Sequence, residues 1–151
     1  MKHGRHEFQN KKGFSFVELL LVIAIISIIA VSSAPFMSRF LAQNQLEVST
    51  DKVVSTIRKA QSYAMANKEN AVWGFCMSGS GIRLYKDSCS SSSYNEDFDL
   101  TKVTISGPVD VYFAGAAGKR GEPSESATIT ISNSTGVNTV PINSAGGLSV
   151  N

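Results

Sequence analysis

The chain has 151 residues, 42% hydrophobic and 17% charged, with a formal net charge of +2, enough for one domain and an appendage. Residues 1–13 hold Lys2, Arg5, Lys11 and Lys12 against Glu7 alone, which leaves ten of the 14 Lys/Arg and eleven of the 12 Asp/Glu to the rest of the chain. The basicity therefore orients an N-terminal segment, in line with the positive-inside rule, and gives little support to a nucleic-acid partner.

From Phe14 to Met37 the chain runs for 24 residues with one charge, Glu18. A membrane-spanning helix needs about 20 mostly apolar residues, and at about 1.5 Å per residue this stretch reaches roughly 36 Å. A secretory signal peptide is the competing reading, with Ser32-Ser33-Ala34 as its cleavage site. Such a peptide has an apolar region of only about 7–15 residues. Here the run passes through Pro35 into Phe36 and Met37, and helical periodicity continues beyond it. Pro35 removes one intrahelical hydrogen bond, so a kink or local loosening is expected there.

Between residues 38 and 67 the pattern is amphipathic. Leu46, Thr50, Val53, Ile57, Ala60 and Ala64 recur at alternating spacings of four and three, on one face of a helix. Arg39, Glu47, Asp51, Lys52, Arg58 and Lys59 are interleaved among them. A helix apolar all round and then apolar on one side has one end in lipid and the other against a domain. Asn67 to Asn70 ends it, since Asn is tolerated at helix C-termini.

The period then changes. Ala71 to Cys76 and Ile82 to Tyr85 flank Ser78-Gly-Ser-Gly81 and read as a hairpin. Residues 87–99 are serine-rich, lack any aliphatic side chain, and read as a loop. Val103 to Ile105 and Val109 to Phe113 are strand candidates, and the Gly-containing stretch from Ala114 to Ser126 is a second loop. Ala127 to Ser132 alternates cleanly, a turn follows at Ser134-Thr-Gly136, and Val137 to Ile142 returns; Leu148 to Val150 is at best a short edge strand. The expected class is α+β: a long N-terminal helix packed on a small, mostly antiparallel β head spanning 68–151.

Cys76 and Cys89 both fall in the head. They allow one disulfide if the head is exported, or else two independent buried thiols. Both histidines, His3 and His6, lie in the first 13 residues, so no protein-held metal and no cofactor is expected. Asn95-Glu-Asp-Phe-Asp99 offers oxygen ligands for calcium but lacks EF-hand spacing; a solvated acidic loop is the plainer reading. Lys119 and Arg120 are the last basic residues of the chain, and two adjacent charges on such a loop make a solvated turn more readily than a DNA site. No nucleophile motif is present, and no enzymatic activity is expected.

The segment Lys11-Lys12-Gly13-Phe14-Ser15-Phe16-Val17-Glu18-Leu19-Leu20 resembles the processing site of type IV prepilins and type II secretion pseudopilins. The resemblance covers roughly residues 11–37 and implies a leader of residues 1–13, cut between Gly13 and Phe14 by a membrane-embedded prepilin peptidase. Phe14 would then be N-methylated. Residues 14–37 would form the transmembrane and assembly part of the helix, and 38–67 its amphipathic half. Pro35 stands where many pilins carry a proline. Glu18, fifth in the mature chain, would pair with the new N-terminal amine of a neighbouring subunit. A charged residue at the centre of a membrane helix costs about 2.5–3.5 kcal/mol; alternatively Glu18 snorkels to the headgroup level and needs no partner.

The order of Val111-Tyr-Phe-Ala-Gly115, the strand from Ala127 to Ser132 and the Ser134-Thr-Gly136 turn is similar to that in the GspH/FimT branch of minor pseudopilins. The function so implied is that of a minor fibre subunit, anchored in the inner membrane with its leader cytoplasmic and its head exported. Its partners would be other pilin subunits, an inner-membrane assembly platform and, before assembly, lipid. The alternatives are a DNA-uptake pilin and a plain membrane-anchored exported β domain.

Overall fold

A computed structural model describes residues 13–113 and 121–151, except the side chains of 32–34. Lys11, Lys12, Lys119 and Arg120 thus lie outside the described residues, as does most of the Gly-containing loop. Among the described residues, one helix, α1 (Phe16–Met65), precedes a single 3-10 turn at Lys68–Asn70 and seven strands: β1 (Trp73–Ser78), β2 (Gly81–Lys86), β3 (Asn95–Asp99), β4 (Thr104–Ser106), β5 (Asp110–Phe113), β6 (Ala127–Ser132) and β7 (Val137–Ile142). The chain divides into two compact units, 1–38 and 39–151.

Within the first unit the helical assignment continues through Pro35. Every Leu, Ile and Val from Leu19 to Val31 is 48–76% exposed. The segment is long and apolar enough to cross a membrane and buries almost none of that surface on its own chain. Ser27, the polar residue within it, satisfies its hydroxyl by donating to the Ile23 carbonyl at 2.8 Å, which is how hydroxyls are tolerated in apolar helices.

In the second unit the six residues of the periodic face, Leu46 through Ala64, are all buried. Two antiparallel sheets complete the head, in the orders β3-β2-β1-β5 and β4-β6-β7. Trp73, Phe75, Ile82, Leu84, Val111 and Phe113 from the first sheet join Ile129, Ile131, Val140 and Ile142 from the second in one apolar core with the helix. Polar side chains tie helix to sheet where apolar packing stops. Asn138 Nδ2 donates to Thr50 Oγ1 at 3.0 Å, Asn133 Nδ2 to the Ala42 carbonyl at 2.6 Å, and Gln61 Nε2 to the carbonyls of both Gly121 and Gly146.

The helix stops where its sequence predicts. Asn67 takes the left-handed conformation at φ 46°, which Asn adopts more readily than most residues, and its amide donates to the Ala64 carbonyl at 3.0 Å. The hairpin forms as read, with Gly79 at φ 59° in its turn. β6 and β7 match their expected bounds, paired from Ala127–Ile142 to Ser132–Val137. The stretch Leu148 to Val150 makes only an isolated bridge to Ile142. Beyond it Asn151 and Thr139 exchange both backbone hydrogen bonds, at 3.0 and 2.8 Å.

One expectation is corrected. The part of 87–99 read as loop ends in a strand, β3, registered against β2 from Gly81–Asp99 to Tyr85–Asn95. Its composition argues against a strand; its contacts override that. Phe98 packs on the core, Asp97 pairs with Arg83, and Glu96 reaches across to Lys59 on α1.

The Lys59–Glu96 pair gives the head a defined response to acid. The Lys59 hydrogen bond holds the Glu96 carboxyl below its ordinary range and raises Lys59. A carboxyl lowered on folding contributes stability above its unfolded value of about 4.3 and loses it as pH falls through the folded value. Both side chains are about one-third exposed, at 34% and 32%, so solvent screens the pair to less than about 1 kcal/mol. Glu96→Gln is expected to lower the melting midpoint by a few degrees at neutral pH and to flatten its fall below about pH 4.3. Thermal melts from pH 3 to 7 check this; an acid limb unchanged by the substitution would assign the sensitivity to another carboxylate.

Candidate functional site: the N-terminal processing segment

Gly13, Phe14 and Ser15 precede the helix, which begins at Phe16, and belong to no regular element. The Leu19 amide donates to the Ser15 carbonyl at 3.2 Å, closing the first turn. The Gly13–Phe14 bond therefore lies just outside α1, exposed and free of the helical ladder. Gly13 is exposed, and a β-carbon there would meet nothing within 4 Å. The chain itself thus imposes no requirement for glycine at that position; any such requirement comes from what binds it. Phe14 is 85% exposed and makes no core contact.

Glu18 sits in the first turn of α1, where the unpaired amides of a helix start favour an anion. It forms no ion pair among the described residues. The arrangement is an exposed acid one turn below the exposed Gly13–Phe14 bond, at the start of a helix surface whose described apolar side chains are exposed. Cleavage at Gly13 would create a cationic amine five residues along the chain from that acid.

The head offers less chemistry. Cys76 and Cys89 form a disulfide across 13 residues of sequence, so the thiol alternative is set aside. Glu96, Asp97 and Asp99 do not converge as calcium ligands. Neighbours in a strand point to opposite faces, and each carboxylate is already engaged: Glu96 by Lys59 and Tyr94, Asp97 by Arg83, Asp99 by Ser80 Oγ and the Thr101 amide. No cluster of three metal-binding side chains occurs among the described residues.

Two polar arrangements of the head escape sequence reasoning. Tyr85 is buried over Gly74, its cross-strand partner, and its hydroxyl donates to Asp110; burial first, then that carboxylate, pushes its pKa far upward. Lys68 lays its ammonium 3.9 Å from the centre of Tyr63 and 5.1 Å from that of Trp73. The signal for the first was a glycine facing a tyrosine in a hairpin whose register could be counted. Nothing local signals the second.

The N-terminal region matches the family model for the prokaryotic N-terminal methylation motif over residues 8–34. The match spans Gly13, Phe14 and Glu18 and ends one residue before Pro35. With the long helix and antiparallel sheets, it supports placing the chain among type IV pilin-like proteins. No curated protein and no solved structure matches the chain.

Proposed function

We propose that this protein is a minor pilin or pseudopilin, a structural subunit of a type IV pilus-like or type II secretion fibre. The observation that carries the reading is the coincidence, within residues 8–34, of the methylation motif with an exposed Gly13–Phe14 bond and an apolar helix surface left uncovered by its own chain. Prepilin peptidase cuts after Gly13, on the cytoplasmic side where Lys11 and Lys12 hold the leader, and Phe14 is methylated. Until assembly, lipid covers the helix; in the fibre, the helices of neighbouring subunits replace it. Glu18 then accepts the cationic amine of a neighbour's Phe14, a pair that gains strength as water is excluded. Pro35 loosens the helix between its apolar and amphipathic parts. An inner-membrane platform performs the extraction, and the head stands on the exported side.

On this reading the head belongs to the GspH/FimT branch, a proposal supported by the order of its strands and turn. β5 turns Val111 and Phe113 inward, β6 supplies Ile129 and Ile131, and Asn133 Oδ1 gathers the amides of Thr135 and Gly136 into the following turn. Its role is structural rather than catalytic. Intact-mass and N-terminal peptide mass spectrometry of the protein from cells with and without prepilin peptidase tests the reading. A chain starting at Phe14 and carrying one methyl, absent without the peptidase, supports it. A start near Ala34, or an uncut chain in peptidase-positive cells, would leave a plain anchored or secreted β domain.

A further inference from the structure

On the outer face of the four-stranded sheet, strand register places Asp110, Cys76, Arg83 and Asp97 in one row across β5, β1, β2 and β3. Cys76 is fully buried although it faces away from the core, because the arm of residues 87–94 folds back and is bonded to it through Cys89. The arm leaves β2 at Asp87, in a left-handed conformation at φ 68°. It closes where the Lys86 amide meets the Tyr94 carbonyl at 3.1 Å and Ser92 Oγ donates to the Lys86 carbonyl at 2.8 Å. What the arm delivers is β3.

β3 is poorly equipped to form alone. Four of its five residues are Asn, Asp or Glu, types depleted in strands, and Phe98 is its only apolar side chain. It lies at a sheet edge, paired on one side only. Arg83 links the edge to the crosslink: Nη1 donates to the Cys89 carbonyl at 3.4 Å, while Nε and Nη2 grip both oxygens of Asp97 at 2.5 and 2.9 Å. A two-toothed guanidinium–carboxylate pair fixes orientation as well as distance. If the crosslink opens, the arm regains the freedom of a long loop, the Cys89 carbonyl leaves Arg83, and the most polar strand of the head loses its covalent hold.

We propose that Cys76–Cys89 is a redox latch for strand β3: its closure sets the arm, Arg83 and β3 in register, and its reduction frees that edge strand from a head that otherwise stays folded. In closing, the two thiols give two electrons and two protons to a donor disulfide through a mixed disulfide, and the donor leaves as a dithiol. In opening, a thiolate of a dithiol reductant attacks the partly exposed Cys89 sulfur and Cys76 departs as a thiolate that takes up a proton. The second thiol of the reductant then resolves the mixed disulfide and frees Cys89. Because disulfides persist outside the reducing cytoplasm, the complete sheet and its Lys59–Glu96 contact with α1 become features of the exported protein. The latch does not depend on the fibre reading.

Hydrogen exchange read by mass spectrometry on the full chain in detergent micelles tests it, comparing oxidised, reduced and Cys89→Ser protein with an oxidised Arg83→Ala variant. In the reduced and Cys89→Ser proteins, amides of 95–99 are expected to exchange at least about tenfold faster while those of 127–142 keep their protection. Arg83→Ala is expected to loosen 95–99 with the disulfide intact. Unchanged exchange at 95–99 without the crosslink would overturn the latch, and so would equal acceleration through 127–142, which would make the bond a staple of the whole head. Unchanged exchange at 95–99 in Arg83→Ala would overturn the coupling through Arg83.

Discussion

Gly13→Arg is expected to leave the chain uncut, with the fraction beginning at Phe14 falling from nearly all to none detectable by N-terminal mass spectrometry. The effect is interpretable because the position is exposed: a β-carbon at 13 meets no described atom within 4 Å, and the residue lies ahead of the helix and outside the core, so the substitution is expected to leave the fold alone. What it alters is the approach of a peptidase to the bond, where a glycine admits close backbone contact. Glu18→Val separates the next step. It removes the one charge of the apolar run, so membrane insertion improves, cutting at Gly13 continues, and incorporation into fibres is lost. Normal processing of Gly13→Arg would remove the basis for calling this bond the site. Normal fibre incorporation of Glu18→Val would instead support the snorkelling alternative for the acid.

Trp73→Ala is expected to cost about 3–5 kcal/mol, a large part of the stability of a domain this size. Trp73 is fully buried and is the largest side chain of the described core. Its indole Nε1 donates to the Lys68 carbonyl at 3.0 Å, and its ring meets Tyr63 and Tyr94 edge-on at 4.8 and 5.6 Å. One side chain thus joins the end of the helix, the turn after it, the first strand and the residue just ahead of β3. Truncation leaves a cavity and a carbonyl without its donor. The melting midpoint should fall by roughly 10–20 °C, while Trp73→Phe, which keeps most of the packing, should lose clearly less. Circular dichroism melts of the full chain check both, and an unchanged midpoint for Trp73→Ala would show that the cluster contributes little.

How much of this was legible beforehand differs by element. The helix face from Leu46 to Ala64 was readable because burial there follows one period, and all six positions are buried. β6 alternates cleanly, β7 returns beside it, and both were found to the residue. β3 was missed because its residues carry no strand signal; tertiary partners on β2 and α1 impose the conformation. The hairpin was found, but its burial on both faces was not. Cys76 and Tyr85 belong to the outer face; the disulfide-bonded arm covers the first, and the second is buried by lying across Gly74. A β-carbon at Gly74 would come within 2.5 Å of the Tyr85 hydroxyl and 2.8 Å of the Val111 carbonyl. Such a requirement exists only between strands and cannot be read along one. At the N-terminal segment the situation is the reverse: Gly13, Phe14 and Glu18 have no tertiary partners among the described residues, so their pattern along the chain is all there is to read.

The short tail beside β7 has a consequence for how such molecules behave when crowded. A strand with free amides and carbonyls along one side is a template for pairing with a neighbour, and so for aggregation. Here Asn151 and Thr139 satisfy each other, Ser149 donates to Pro141, and Pro141 itself offers no amide. At the opposite border of that sheet β4 is only three residues long; the other sheet ends in acidic β3 on one side and, on the other, in the four-residue β5, whose Tyr112 carbonyl already accepts the Ser124 amide. Brought together in large numbers, such heads are shielded from sticking to one another through their backbones, and their contacts are left to side chains, which can be specific and reversible.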